Sequence, residues 1–224
     1  MLFLAVFAGF LAENQREHFI EHRREKEYMK SLLEDLQLDS VTMNRIYLLG
    51  VHQIVKLDSL IELLDNTPIR DTNISRLYML HGQSHRFLGI RFEDRTSSQL
   101  KNAGGMRLIR NKKVIDTILK YWAAIETIEV VRSRLEMAGE NISDLSTRIF
   151  YNKYFIPGKM PLDPPKGIKP GADLMDKDSK LLAQYANRLG TKRTRTNNYL
   201  ANLEKAKKLA SALIQLIRKE YRLD

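Results

Sequence analysis

The chain has 224 residues, of which 43% are hydrophobic and 29% are charged, and it contains only 11 glycines and 6 prolines. This composition suits a folded chain and favours helices over the short, turn-punctuated strands of an all-β protein. Because the chain has no cysteine, disulfides, thiolate zinc sites, iron–sulfur clusters and cysteine nucleophiles are excluded. The formal net charge of +10 leaves two acidic partners open, nucleic acid and anionic lipid.

Residues 1–12, MLFLAVFAGFLA, carry no charged or polar side chain, and a charge-dense stretch begins at Glu13. As a helix this segment would cover only ~18 Å, whereas the hydrocarbon core of a bilayer is ~30 Å thick. We therefore expect a membrane anchor that is part of a longer transmembrane helix, with Met1 an internal methionine; a buried hydrophobic tip is the alternative. The predicted anchor side chains are Leu2, Phe3, Leu4, Val6, Phe7, Phe10 and Leu11. The basic residues that follow favour a cytoplasmic position for the rest of the chain; they are Arg16, Arg23, Arg24, Lys26 and Lys30.

From Met29 to Leu64, apolar residues recur in steps of four and three. A 3.5-residue period predicts a long helix that packs lengthwise against other helices. The helix should end near Asn66, because Pro68 disfavours helix in the residue before it. The seam predicted to contact other helices consists of Met29, Leu33, Leu36, Met43, Tyr47, Ile54, Leu57, Ile61 and Leu64.

Further along the chain the pattern predicts a shorter helix over 73–84 and another that begins near Thr96 and ends at the glycines 104–105. Second and third long helices should begin at Asn111, a predicted N-cap, and near Asp178. Between them, residues 155–175 hold five of the six prolines, which precludes a regular helix and leaves a partner-docking loop or a solvated crossover. The predicted fold class is an all-α, elongated, antiparallel and coiled-coil-like bundle over 13–224, with an N-terminal membrane helix that includes 1–12.

Two charged segments are interpreted as solvated helix faces. One contains the carboxylates Glu25, Glu27, Glu34, Asp35 and Asp39, which are interleaved with basic residues. The other is a basic patch near the C-terminus that comprises Arg188, Lys192, Arg193, Arg195, Lys205, Lys207 and Lys208. Tyrosines interleaved with this patch resemble a base-stacking surface, but Tyr185, Tyr199 and Tyr221 lie on or beside the apolar stripe, which favours core packing over nucleic-acid binding.

The sequence HFIEH places His18, Glu21 and His22 in the H-x-x-E-H pattern of inverted zinc peptidases. On a helix both imidazoles share one face, and the glutamate could activate a zinc-bound water. The pattern lies beside the anchor among other charges, without a third ligand or a catalytic domain, so we expect a charged face, with no metal and no cofactor. His81 and His85 have the same i, i+4 spacing, and polar contacts on a half-buried helix explain them best.

Two blocks resemble a family of bacterial membrane-anchored helical proteins of unknown function. They are FLAVFAGFLAENQREHFIEHRREKEYMKSLLEDLQLD at 3–39 and FEDRTSSQLKNAGGMRLIRNKKVIDTILKYW at 92–122. The resemblance implies a complete, single-pass transmembrane helix in the bacterial inner membrane, preceded by a basic extension that leaves the side of the helical domain open. It transfers no catalytic residue.

The expected function is therefore a non-enzymatic, membrane-anchored structural or interaction module that forms a homo-oligomer or part of a membrane complex. Neither a small-molecule substrate nor a nucleic-acid partner is indicated. The alternative is a helical bundle that senses a small ligand, which a buried polar pocket near His81, His85 and Trp122 would favour. A zinc enzyme at His18 and His22 and a nucleic-acid-binding protein are the weaker alternatives.

Overall fold

The computed structural model of the chain describes residues 2–86, 88–102, 104–158 and 165–223. Within these ranges α-helix dominates, which confirms the all-α prediction. The helices are α1 (Leu2–Asp65), α2 (Thr67–Thr72), α3 (Ile74–Ser84), α4 (Arg95–Asn102), α5 (Lys112–Ser146) and α6 (Ser179–Tyr221). Short 3-10 helices at Gly105–Leu108 and Asn152–Tyr154 and the strands β1 (Phe155–Ile156) and β2 (Gly167–Ile168) complete the described elements.

Three helix ends lie where the sequence predicted them, and Asn111 is the N-cap that was predicted. Asn111 caps α5, because its Oδ1 accepts hydrogen bonds from the backbone N–H groups of Lys113 at 3.0 Å and Val114 at 3.3 Å. Asp178 caps α6 in the same way, since its Oδ1 accepts from the backbone N–H of Leu181 at 2.8 Å. Gly104, just after α4, has a φ of 66°, a left-handed conformation that ends a helix and that glycine adopts without strain.

The chain divides into two compact units. Unit 1 comprises Met1–Met43, Arg91–Ile125 and Lys205–Asp224, and unit 2 comprises Asn44–Ile90 and Glu126–Glu204. The long helices α1, α5 and α6 each contribute one segment to each unit.

Unit 2 is built around leucines and aromatic residues of α1, α3, α5 and α6 that lose all or nearly all of their exposure to solvent. The α1 and α6 segments run antiparallel, because Gly50 lies against Leu200 while Asp58 further along α1 pairs with Arg193 at 2.7 Å. Gly50 permits this approach, since a Cβ there would lie 2.5 Å from a Leu200 methyl carbon. The predicted helical bundle is therefore confirmed.

The proline-rich segment packs onto unit 2 at both of its ends. β1 pairs antiparallel with β2, and Phe155 and Ile168 pack against the core of the unit. Further along, Leu174 is buried and Met175 donates its backbone N–H to the carbonyl of Ile149 at 2.8 Å. The middle of the segment, 159–164, lies outside the described residues. Phe155, Ile168 and Leu174 thus attach the described ends of the segment to the fold of unit 2.

In unit 1 the interpretation of the acidic stretch as a solvated face is wrong for three of its five carboxylates, while Glu27 and Glu34 are exposed. Glu25, Asp35 and Asp39 are all buried. Asp35 accepts from the backbone N–H of Thr96 at 3.1 Å, and Asp39 accepts from that of Glu93 at 2.8 Å. Backbone N–H groups that are withdrawn from water need acceptors, and these carboxylates supply them.

Candidate functional site

The strongest candidate site is a cavity of about 280 Å³ inside unit 2. α1 contributes Gln53, the residue after α3 is His85, and α6 contributes Lys192. The remaining lining residues are Arg86, Leu88, Arg132, Leu135, Glu136, Gly139 and Glu140. Its volume is close to the lower end of the range for small-molecule pockets, roughly 300 to 1,000 Å³.

Lys192 is the most unusual residue of this cavity, because only 5% of it is exposed. Its Nζ donates to the backbone carbonyl of Ser84 at 2.7 Å. Burial lowers the pKa of Lys192 to about 8, since the charged ammonium loses its hydration. Lysine is rarely buried to this extent unless a carboxylate pairs with it.

The basic patch that is interpreted as a solvated helix face includes Lys192. The structure corrects this interpretation at Lys192, because its ammonium points into the fold and is withdrawn from solvent. The other residues of the patch are exposed or half-buried.

His81 and His85 stand one turn apart at the end of α3, with their ring centroids 4.4 Å from each other. The His81 ring stacks on Phe150 at 4.1 Å, and its Nδ1 shares a 2.7 Å hydrogen bond with the hydroxyl of Tyr185. Burial lowers the pKa of His85 to about 4 and that of His81 well below its ordinary value. Both rings are therefore neutral at pH 7.

Two polar atoms of the cavity residues are buried without a hydrogen-bond partner in the described part of the chain, Gln53 Oε1 and His85 Nε2. Gln53 Nε2 donates to the carbonyls of Ser84 at 3.0 Å and Arg86 at 2.7 Å, which fixes the orientation of the amide and leaves Oε1 with no donor. Each such atom costs about 1–3 kcal/mol when it stays unsatisfied. A water or a ligand in the cavity would remove that cost.

Arg132 also lines the cavity and is already engaged, because its guanidinium pairs with Glu129 at 2.6 Å and also with Glu136. It is therefore a fixed part of the wall. Arg86 is exposed, so Lys192 is the buried cation of the cavity with donors to spare. The pocket expected for the ligand-sensing alternative is thus found beside His85. Trp122 does not line it; it belongs to unit 1, where Lys101 Nζ lies 4.5 Å from the centroid of its ring.

The side chains of the zinc-peptidase pattern contact other charged side chains of unit 1. The Nδ1 of His18 and a carboxylate oxygen of Glu21 face Arg110, at 3.3 Å and 3.8 Å from its guanidinium. His22 Nδ1 lies 3.4 Å from Glu25. Among the residues that the structure describes, no group of three or more potential ligands could hold a metal ion.

Unit 1 has a second cavity of about 420 Å³, near the C-terminal end of α6. Its buried carboxylate, Glu25, is already satisfied, because it accepts from the hydroxyl of Tyr221 at 2.7 Å and from the backbone N–H of Arg110 at 2.9 Å. The polar centre of this cavity is therefore occupied by the protein itself. The remaining lining residues are His22, Lys26, Asn111, Glu220 and Arg222.

The predicted anchor is the first part of α1, and its described side chains project into solvent. Phe3 is 80% exposed and Phe10 is 69% exposed, and Val6, Phe7 and Leu11 are exposed as well. The side chains of Leu2 and Leu4 lie outside the described ones. No helix in the described ranges combines the length and the apolarity that crossing a bilayer requires.

The predicted seam of α1 lies inside the fold. Six of its nine residues, Met29, Leu33, Leu36, Met43, Leu57 and Leu64, are buried, and Tyr47, Ile54 and Ile61 are half-buried. The exposed apolar side chains of α1 beyond the anchor are at other positions, namely Phe19, Leu38, Val41, Leu48, Val51 and Val55.

Sequence reasoning missed Gln53 and Ser84, which organise the cavity. Gln53 does carry a signal, because it stands four residues before Leu57 and so falls on the buried face of α1. A glutamine on a buried face implies a polar partner in the interior. Ser84 gave no such signal, since it acts through its backbone carbonyl.

Family models, curated proteins and solved structures were compared with the chain, and none of them matches it. The resemblance of 3–39 and 92–122 to membrane-anchored helical proteins stays a prediction.

Proposed function

We propose that the chain is a non-enzymatic interaction module. The apolar start of α1 tethers this module to a membrane, which in bacteria is the inner membrane. The observation that supports this is the exposure of the large apolar side chains from Phe3 to Leu11 on a helix that carries no polar side chain over 2–12. A helix segment that is apolar all round belongs in a protein core or in lipid, and no described residue covers these side chains.

The energy available for this tether is large. Phe3, Val6, Phe7, Phe10 and Leu11 would each contribute about 1.5–3 kcal/mol on leaving water, so the gross gain is on the order of 10 kcal/mol. The following stretch, 13–30, carries five acidic and five basic side chains and hence no formal net charge. Insertion, rather than attraction to anionic headgroups, therefore drives the proposed binding.

The test is flotation of the purified chain with vesicles of neutral phosphatidylcholine. The chain should float with the vesicles, and 0.5 M salt should not release it. The triple variant Phe3→Asp, Phe7→Asp, Phe10→Asp should stay at the bottom of the gradient. The matched control Leu119→Asp, Val130→Asp, Met137→Asp removes three apolar side chains that are also exposed and should float like wild type. Equal loss in both variants, or no flotation of wild type, would refute the tether.

The proposed partner of the module is a second copy of the chain. In unit 2, α1 exposes Leu48, Val51 and Val55, whose spacing of three and four residues puts them on one face of the helix. Light scattering in detergent should give a dimer or larger oligomer for wild type, and Leu48→Glu with Val55→Glu should reduce it to a monomer. Val130→Glu with Met137→Glu is the control on α5. A monomeric wild-type protein would contradict this part of the proposal.

The residues of the zinc-peptidase pattern support the non-enzymatic assignment, because His18 and Glu21 contact the guanidinium of Arg110. A metal ion bound by His18 would have to lie near this guanidinium or displace it, and two positive charges repel each other. A chelator should therefore leave the melting temperature of the chain unchanged.

A further inference from the structure

The cavity of unit 2 combines an unpaired cation with an unpaired acceptor. The Lys192 ammonium has three N–H donors, and the described residues supply one acceptor, the carbonyl of Ser84. In the part of the chain that the structure describes, no carboxylate forms an ion pair with Lys192. Burial is the cause that lowers the pKa of its ammonium. A buried cation of this kind calls for an anion.

The acceptor is Gln53, which is only 3% exposed and whose Oε1 has no donor. It lies on a different helix from Lys192, yet both residues line the same cavity and both donate to the carbonyl of Ser84. A ligand that satisfies both residues must carry an anionic group and, close to it, a hydrogen-bond donor.

The walls define the rest of the ligand. Leu88 and Leu135 supply apolar contacts, and Gly139 keeps the space beside the ammonium open, because a Cβ at that position would lie 3.9 Å from Lys192 Nζ. A volume of about 280 Å³ admits a small organic molecule of about ten to fifteen non-hydrogen atoms.

We propose that this cavity binds a small organic acid with a hydroxyl or amino group next to its carboxylate, the carboxylate pairing with Lys192 and the neighbouring donor bonding to Gln53 Oε1. A cationic ligand is disfavoured, because it would meet the Lys192 ammonium without a free buried carboxylate beside it. A neutral ligand would leave that ammonium unpaired.

The charge on Lys192 makes the binding dependent on pH. With a pKa of about 8, the side chain is about 90% charged at pH 7 and about 10% charged at pH 9, so the affinity for a carboxylate should fall roughly tenfold between these values. The imidazoles beside it do not titrate in this interval, because burial lowers the pKa of both. The titratable and charged groups that face Lys192 from the packed elements are His81, His85, Arg86, Arg132, Glu136 and Glu140.

The proposal is tested by calorimetry with matched probes of two sizes. L-lactate and 3-phenyllactate carry both groups, propionate and 3-phenylpropionate lack the donor, and lactamide and 3-phenyllactamide lack the carboxylate. The hydroxy acids should bind best, the acids without the donor about tenfold more weakly, and the amides not detectably. The affinity of the hydroxy acids should fall roughly tenfold from pH 7 to pH 9.

Two variants locate the binding. Lys192→Met approximately keeps the length of the side chain. The variant should fold, because Gln53 still donates to the Ser84 carbonyl. The folded variant should bind no probe. Gly139→Leu fills the space beside the ammonium and should abolish binding, whereas Gly190→Leu on α6, where a Cβ meets nothing within 4 Å, should bind like wild type. Circular dichroism verifies that each variant is folded.

Three results would each overturn the proposal: amides that bind as well as the acids, a folded Lys192→Met variant that binds with the wild-type affinity, or no heat from any of the probes at 20 mM. In the last case the cavity holds ordered water only. Flotation and oligomer formation are measured separately, so failure here leaves the proposed membrane tether untouched.

Discussion

Raising the pH from 8 to 10 should stabilise unit 2, because burial lowers the pKa of Lys192. In the folded chain this pKa is about 8, whereas the ordinary value of lysine is 10.5. Between these values the unfolded chain keeps a proton that the folded chain has released, so the free energy of unfolding rises with pH. From pH 8 to pH 10 the gain works out to about 2 kcal/mol for this one group.

The assay is urea denaturation followed by circular dichroism at pH 8, 9 and 10, with Lys192→Met as the reference. Burial raises the pKa of Tyr185 and Tyr199, which destabilises the fold as the pH rises past 10. This opposing effect is the same in the wild-type protein and in the variant, so it cancels in the difference between their free energies of unfolding. The wild-type protein should gain about 2 kcal/mol relative to the variant over this interval. If the two proteins depend on pH identically, Lys192 is not the buried ammonium that the structure shows.

Two further predictions concern single contacts. Asp39→Ala removes the carboxylate that accepts from the hydroxyl of Tyr121 at 2.6 Å and should destabilise the fold by about 2–4 kcal/mol, measured by thermal unfolding, while Asp39→Asn should recover part of the loss. Gly82→Ala should lower the free energy of unfolding by about 1–2 kcal/mol, because its Cβ would lie 2.6 Å from the Pro165 ring. Gly190→Ala, in open space on a helix, should instead raise it by about 0.5–1 kcal/mol, and equal effects at both glycines would contradict the packing at Gly82.

The helix boundaries could be predicted because the interactions that set them are local. Asn111 and Asp178 cap helices through backbone N–H groups only two or three residues away, so the signal lies in adjacent sequence. The heptad-like period likewise identified Met29 and Leu57 as core residues, since one buried face of a helix repeats at a fixed interval.

The partners of the buried polar groups could not be predicted, because they are remote in the sequence. Asp35 follows Glu34 and is typical of a surface residue by its charge, yet its acceptor role depends on Thr96, 61 residues away. Gln53 and Lys192 are brought to one cavity by helices at opposite ends of the chain. Periodicity places a residue on a face of its helix, but it does not say which polar groups of other helices meet that face.

The three buried acids of α1 fix the register in which this helix packs within unit 1. A ridge of similar apolar side chains tolerates sliding, because a shift by one heptad brings one leucine to the place of another. Glu25, Asp35 and Asp39 admit no such shift, since each accepts a hydrogen bond from a backbone N–H at a fixed place in the chain that follows, at Arg110, Thr96 and Glu93. A displacement of one heptad, about 10.5 Å, would separate all three buried acids from these donors. The apolar contacts of unit 1 thus stabilise the packing of its helices, and the three acids select the single register of that packing.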